Sequence, residues 1–165
     1  VDQIFNDNID INKENASLLI IQYIDDLKSK QDLEIEGLCV AIHGSVLNNK
    51  IIFTPAYDLD SSSLYDDLST YYDFPVYFEN EANLSALGEY VFGSNSKQLI
   101  SLSIHSGIGA GIISKGHIEE GFTGQAGEIG HTILYPMGRK CPCGNNGCIE
   151  QYASKKTLYD SIKET

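Results

Sequence analysis

The sequence predicts an α/β fold, and three observations carry that prediction. Apolar residues recur at helical spacing in several stretches. Short β-branched runs, each stopped by Gly or Pro, alternate with those stretches. Hydrophobic residues make up 42 % and charged residues 21 % of 165 residues, enough apolar material for a core in one domain or two small lobes.

The elements follow in order. Asn12 to Lys30 reads as a helix, with Ala16, Leu19, Ile20, Ile24 and Leu27 on one face and Asp25, Asp26 and Lys28 outside. Ile35 to Ile42 reads as a buried strand stopped by His43-Gly44, with Cys39 as an inert buried thiol inside it. Lys50 to Thr54 is a second strand, ended by Pro55. Ser61 to Tyr71 forms a helix capped by one of its serines, and Pro75 prevents its continuation. Val76 to Glu79 is a third strand, Ala82 to Phe92 a helix closed by Gly93-Ser94-Asn95-Ser96, and Gln98 to Ile104 a fourth strand. Beyond Gly121 glycines become dense and regular structure is not predicted until a last helix, Ser154 to Lys163. Composition and pattern both change near residues 93 to 97, which divides the chain into a first-lobe portion (1–96) and the start of a second lobe (97–165).

Charge narrows the function. Eleven Lys and Arg against twenty-three Asp and Glu give a net charge of −12, with no basic face to neutralise phosphates. The chain alone is therefore not expected to bind DNA or an anionic membrane. Apolar runs such as Leu18 to Ile21 are far too short to span a bilayer, and no apolar segment follows a basic leader. A cytoplasmic location is the expectation, in which few, clustered cysteines suggest a metal rather than a disulfide framework.

Two motifs carry chemistry. In "SIHSGIGAGIISKG", Gly107, Gly109 and Gly111 fall at alternate positions and Ile-Ile follows, which disfavours a dinucleotide turn and fits two strands joined tightly. Its bare N–H groups can line an anion, or the hairpin can be ligand-free. In "GHTILYPMGRKCPCGNNGCIEQYAS", His131, Cys141, Cys143 and Cys148 form H-x9-C-x-C-x4-C, the ligand set of a closed, structural zinc site. Reduced thiols or an adventitious disulfide are the plainer alternatives, although Cys-Pro-Cys is poor geometry for a bridge within itself. Glu128 and Glu150 flank the cluster.

Taken together, "GEIGHTILYPMGRKCPCGNNGCIEQYAS", "ENEANLSALGEY", "HSGIGAGIISKGHI" and "CVAIHGS…NKIIFTPAYDL" resemble the ROK family of repressors and sugar kinases, over roughly residues 35 to 155. The resemblance implies an actin-like, ribonuclease-H-like fold with two lobes around a sugar cleft and zinc at the four residues named. It implies sugar contacts from Gly44, Asn80, Glu81, Glu128, His131 and Glu150, with His131 holding zinc on one ring nitrogen and a sugar hydroxyl on the other. Ser106, Gly107 and Gly109 match the loop that meets ATP phosphates in the kinases, where Mg²⁺ also takes part. Kinase members carry Asn-Asp, the Asp being the general base; this chain has Asn80-Glu81, as the repressor branch does. His43 stands where many relatives have Pro, and reads as a loop residue. The kinases' Asp-x-Gly-x-Thr loop, the repressors' winged helix and the family's later elements are not found, so the chain reads as a middle portion of a longer protein. The resemblance implies the effector-sensing core of a xylose-repressor-like regulator that binds a sugar and reaches DNA through a domain outside this chain; a middle portion of a two-lobed fold leaves sheet edges and apolar faces uncovered, so a homo-oligomer, or a partner segment, is expected to cover them. The alternatives are part of an ATP-dependent hexose kinase, in which Glu81 would be the catalytic base, and a non-catalytic sugar-binding or assembly module.

Overall fold

The computed structural model describes residues 11–30, 34–55, 57–59 and 63–163. Helix α1 spans Ala16–Lys30. Its expected first turn, from Asn12, is a separate turn in which Asn12 N donates to Asn15 Oδ1 at 2.9 Å. The predicted face is used in part: Ala16 is buried and Ile20 and Ile24 lie against the core, joined there by Ile21 rather than by Leu19 and Leu27. Strands β1 (Leu38–Ile42) and β4 (Val76–Asn80) pair in parallel, from Leu38 opposite Val76 to Ile42 opposite Asn80. β1 starts at Leu38 rather than Ile35 because its ladder begins where Leu38 N donates to Pro75 O, at 2.9 Å.

Between these strands lies a hairpin, β2 (Ser45–Leu47) and β3 (Lys50–Phe53). Asn48 and Asn49, at φ 51° and 60°, make its two-residue turn, which suits the twist of antiparallel strands. Helix α2 is Leu64–Tyr71. Ser61 and Ser62 lie outside the described residues. Ser63 occupies the cap position without capping: its hydroxyl donates to Asp67 Oδ2 at 3.0 Å. Ile42, Val46, Leu64, Leu68, Val76 and Phe78 form the first core, closed by α1.

Cys39 corrects the expectation of a buried thiol. The inward positions of β1 are Leu38, Val40 and Ile42, so Cys39 points to the other face, opposite Tyr77, and both are exposed. Alternation predicts two faces but not which one is covered.

Helix α3 (Glu81–Gly88) continues from β4 with no intervening loop. It lies on an antiparallel sheet of β5 (Gln98–Ile104), β6 (Ile108–Ser114) and β7 (His117–Ile118), ordered β5-β6-β7. The alternating glycines now have a reason. A Cβ at Gly111 would sit 2.1 Å from the Ala82 carbonyl oxygen and 2.6 Å from Ala86 Cβ, so the bare strand lets α3 approach. The helix expected to run to Phe92 stops at Gly88 and opens into a π-helical turn, Glu89–Ser94, where Gly93 leaves helical geometry (φ −104°, ψ −108°). Two last helices, α4 (Glu150–Ala153) and α5 (Lys155–Lys163), are separated by Ser154, whose hydroxyl accepts from Thr157 N at 3.3 Å. Among the described residues no helix is long and apolar enough to cross a membrane.

Candidate metal centre and cleft

Parallel pairing puts the C-terminal ends of β1 and β4 side by side, the place where open α/β sheets bind ligands. His43-Gly44 and Asn80-Glu81 emerge there together. Gly44 has φ 155°, and a Cβ on it would lie 2.1 Å from the Phe53 carbonyl oxygen, so only glycine fits. Its own carbonyl accepts from Asn80 Nδ2 at 2.7 Å. Asn80 Oδ1 accepts from Ala82 N at 2.8 Å and Asn83 N at 3.2 Å, capping α3. Asn80 is thus mainly a joint between the strand end and the helix, with one amide hydrogen left for a ligand.

The facing wall comes from the β5-β6-β7 sheet. The loop after β7 runs back along β6, where Ala110 N donates to Gly127 O at 2.8 Å, and this carries Glu128 and His131 inward. Lys155 N donates to His105 O at 2.9 Å, holding the start of α5 to the β5–β6 turn. Glu150 Oε2 reaches that turn, 2.9 Å from where a Cβ of Gly107 would be. The result is a cleft of about 950 Å³ lined by Gly44, Asn80, Glu81, Glu128, His131 and Glu150, the six residues singled out above; Ser106, Gly107 and Gly109 line it too. Burial lifts the Glu128 carboxyl above the ordinary range. His131 and His43 pull it back, and the carboxylates of Glu150 and Glu81 push it further up. The carboxylates of Glu81, Glu128 and Glu150 in a concave site, with amide and imidazole donors, suit a ligand rich in hydroxyl groups.

Beside the cleft, His131, Cys141, Cys143 and Cys148 converge, their ligand atoms all within 4.8 Å of one another. Bridges pairing Ile133 with Cys148 and Lys140 with Asn146 fold the loop back on itself. Cys143 Sγ lies 3.7 Å from Cys148 Sγ, and His131 Nδ1 lies 3.5 Å from Cys141 Sγ. A tetrahedral zinc with Zn–S bonds of about 2.3 Å sets sulfur–sulfur edges of about 3.8 Å, so the set fits the ion. All four cysteines are free. Burial raises the thiols of Cys141 and Cys148. A bound cation reverses that preference, since coordinated thiols are deprotonated. The His131 ring presents Nδ1 to Cys141, while its Nε2 stands 3.7 Å from Glu128 Oε2 on the cleft side.

One residue read as a loop histidine belongs to this site. His43 lines the cleft, with Nε2 3.7 Å from Glu81 Oε1. The available signal was its position, between the end of a strand and a glycine.

The ROK family model matches residues 6–165. The xylose repressor of Bacillus subtilis is 41 % identical over 130 residues, covering 77 % of this chain and 34 % of its own length. A ROK family glucokinase from Streptomyces griseus, solved with glucose and AMPPNP, superposes with a TM-score of 0.77 at 32 % identity, over 92 % of this chain and 49 % of its own. A ROK family transcriptional regulator described as a homologue of E. coli MLC gives a TM-score of 0.80 at 26 % identity, over 94 % of this chain and 41 % of its own. The chain spans about a third of the length of the curated repressors it matches. Matched almost end to end by the family model, with the actin-like fold of the family's sugar kinases, the chain belongs to the ROK family.

Proposed function

We propose that this chain is the sugar-sensing core of a ROK transcriptional repressor. The observation that carries the reading is Glu81. It occupies the first residue of α3, directly after Asn80, where the family's kinases have Asp. One extra methylene displaces a carboxylate by more than about an ångström, and a general base must lie within hydrogen-bond reach of its proton. A longer carboxylate still accepts from a hydroxyl, so it binds without activating. The repressor relatives support the same reading. A sugar seated between Asn80-Glu81 on one side and Glu128, His131 and Glu150 on the other would favour the closed arrangement of lobes 1–96 and 97–165. The parent protein would carry that shift to DNA as a cytoplasmic homo-oligomer, through a domain outside this chain. The sugar is a hexose or pentose, xylose being the one named in the repressor relatives. His131, Cys141, Cys143 and Cys148 would hold a structural zinc; four protein ligands leave no position for a catalytic water, so the ion's contribution is to order the loop and fix the His131 ring.

The second reading is an ATP-dependent hexose kinase, favoured by the glucokinase relatives. In it Glu81 would be the base, and Ser106, Gly107 and Gly109 would meet the phosphates of ATP with Mg²⁺. One assay separates the two: full-length protein with ATP, Mg²⁺ and a panel of hexoses and pentoses. The expected outcome is sugar binding without sugar phosphate, since losing general-base help alone costs about 10²–10⁴-fold. Turnover of about one per second on any sugar would replace the repressor reading with the kinase.

A further inference from the structure

His43 sits in the partition between two cavities. One is the cleft. The other, of about 560 Å³, lies under α1 and is lined by Leu19, Ile20, Val40 and Leu64, and again by His43 and Glu81. The register explains the placement: Ile42 pairs with Asn80, so the residues that follow them come out as neighbours. The His43 and Glu81 side chains are 32 % and 48 % exposed, so a ligand in the cleft can reach both.

The two ends of the imidazole are unlike. Nδ1 is buried and has no hydrogen-bond partner among the described residues. Nε2 is 3.7 Å from Glu81 Oε1, too far for a direct hydrogen bond. A neutral imidazole carries one N–H. At Nδ1 that hydrogen would be an orphaned buried donor, whereas at Nε2 it faces a carboxylate across a gap. Nδ1 is unpaired in either tautomer, so the Glu81 carboxylate, which accepts and cannot donate, selects the form with the hydrogen on Nε2 and turns a donor toward the cleft, beside an acceptor. Among the described residues no hydrogen bond reaches the Glu81 carboxylate, so its capacity is free.

We propose that His43 and Glu81 together read one ring hydroxyl of the bound sugar, the His43 Nε2–H donating to it and the Glu81 carboxylate accepting from it. A hydroxyl oxygen about 2.8 Å from each atom bridges a 3.7 Å separation, and its single hydrogen and lone pairs match the acceptor and donor offered. The bond to the carboxylate is charge-assisted and is the stronger of the two. The arrangement also suits a sensor. A hydroxyl whose lone pair is engaged by an N–H donor is a poorer nucleophile than one that only gives up its proton. This inference rests on the sugar-binding reading above and adds the residue pair that discriminates among sugars.

The test is a cycle between residue and ligand, measured by calorimetry on the full-length protein. Wild type, His43→Phe, His43→Gln and Glu81→Gln are titrated with D-xylose and D-glucose, then with each monodeoxy form of whichever sugar binds. The expected result is that one deoxy sugar binds wild type about tenfold or more weakly than its parent, the loss typical of a hydrogen-bonded group left without its partner. For that sugar alone the penalty shrinks to about threefold or less in His43→Phe, which keeps the volume of the partition and loses the donor. His43→Gln, which keeps an N–H, retains part of the discrimination, and Glu81→Gln loses most of it; these two decide the matter should His43→Phe fail to fold. Penalties that stay the same for every deoxy sugar across the variants would show a merely structural histidine and overturn this inference alone. Wild type that binds no sugar at all would overturn the sugar-binding reading and this inference with it.

Discussion

Asn80 shows how one amide can decide a local structure. Its oxygen takes two N–H groups at the start of α3, and its nitrogen donates to the Gly44 carbonyl. Removing it uncaps the helix and leaves a half-buried carbonyl without its donor. Asn80→Ala is therefore expected to destabilise the protein by about 1–3 kcal/mol, measured by urea denaturation of the full-length protein, and to weaken sugar binding in the same variant. Wild-type stability would mean that water replaces both roles. Much of the site was legible at this scale. His131 and the three cysteines announce themselves because metal ligation restricts both residue type and spacing. Glu128 and Glu150 were visible as flanks of the cysteine cluster, but their role as sugar contacts entered through the resemblance, since a lone carboxylate near glycines has no chemical signature. His43 was not legible, because its meaning depends on which residue β4 delivers next to it.

Among the elements, the loop from Thr132 to Ile149 has the least regular structure to sustain it. Two isolated bridges, and Ile149 N donating to Thr132 O at 2.9 Å, close it without a strand or helix. Within it only Cys141, Gly147 and Cys148 are buried, and no large aliphatic side chain is. Zinc would supply the missing cohesion; apparent binding free energies of such sites reach about 10–16 kcal/mol. Purified full-length protein is expected to carry about one zinc per chain. Cys141→Ser, or a strong chelator, should open residues 121–150 to proteolysis while the core around Leu68 stays folded. Elemental analysis finding no metal in reduced, chelator-free protein would refute this. The elements that the sequence hid are those whose form comes from neighbours. β2, only Ser45–Leu47, is too short to show a period, and the turn at Asn48-Asn49 reads as loop until β3 is seen to pair back. The apolar run Tyr90-Val91-Phe92 reads as helix, yet beyond Gly88 the chain widens and leaves Phe92 almost wholly exposed.

For the whole molecule, the surface left uncovered matters as much as the core. Among the described residues β5 is an edge of its sheet, and along it Ile100, Leu102 and Ile104 are exposed in a row. An apolar stripe on an open edge is a template for another chain. This 165-residue chain, expressed alone, is expected to self-associate through it, with Leu102→Lys restoring monomer in sedimentation experiments. A concentration-independent monomer of the unaltered chain would contradict the expectation. The alternation of helices and strands was enough to predict an α/β class, whereas the division into separate sheets and the bridging course of α3 between them emerge only from three-dimensional pairing. The ring of His131 stands between both centres of the molecule, with Nδ1 beside Cys141 of the thiol cluster and Glu150, and Nε2 facing Glu128. Ion and sugar would then be thermodynamically linked: whatever factor the ion adds to the sugar's affinity, the sugar returns to the ion's. The factor can be read as the change in chelator concentration needed to strip the metal when sugar is present. Such a regulator would answer to two nutrients, and scarcity of zinc would weaken its response to sugar.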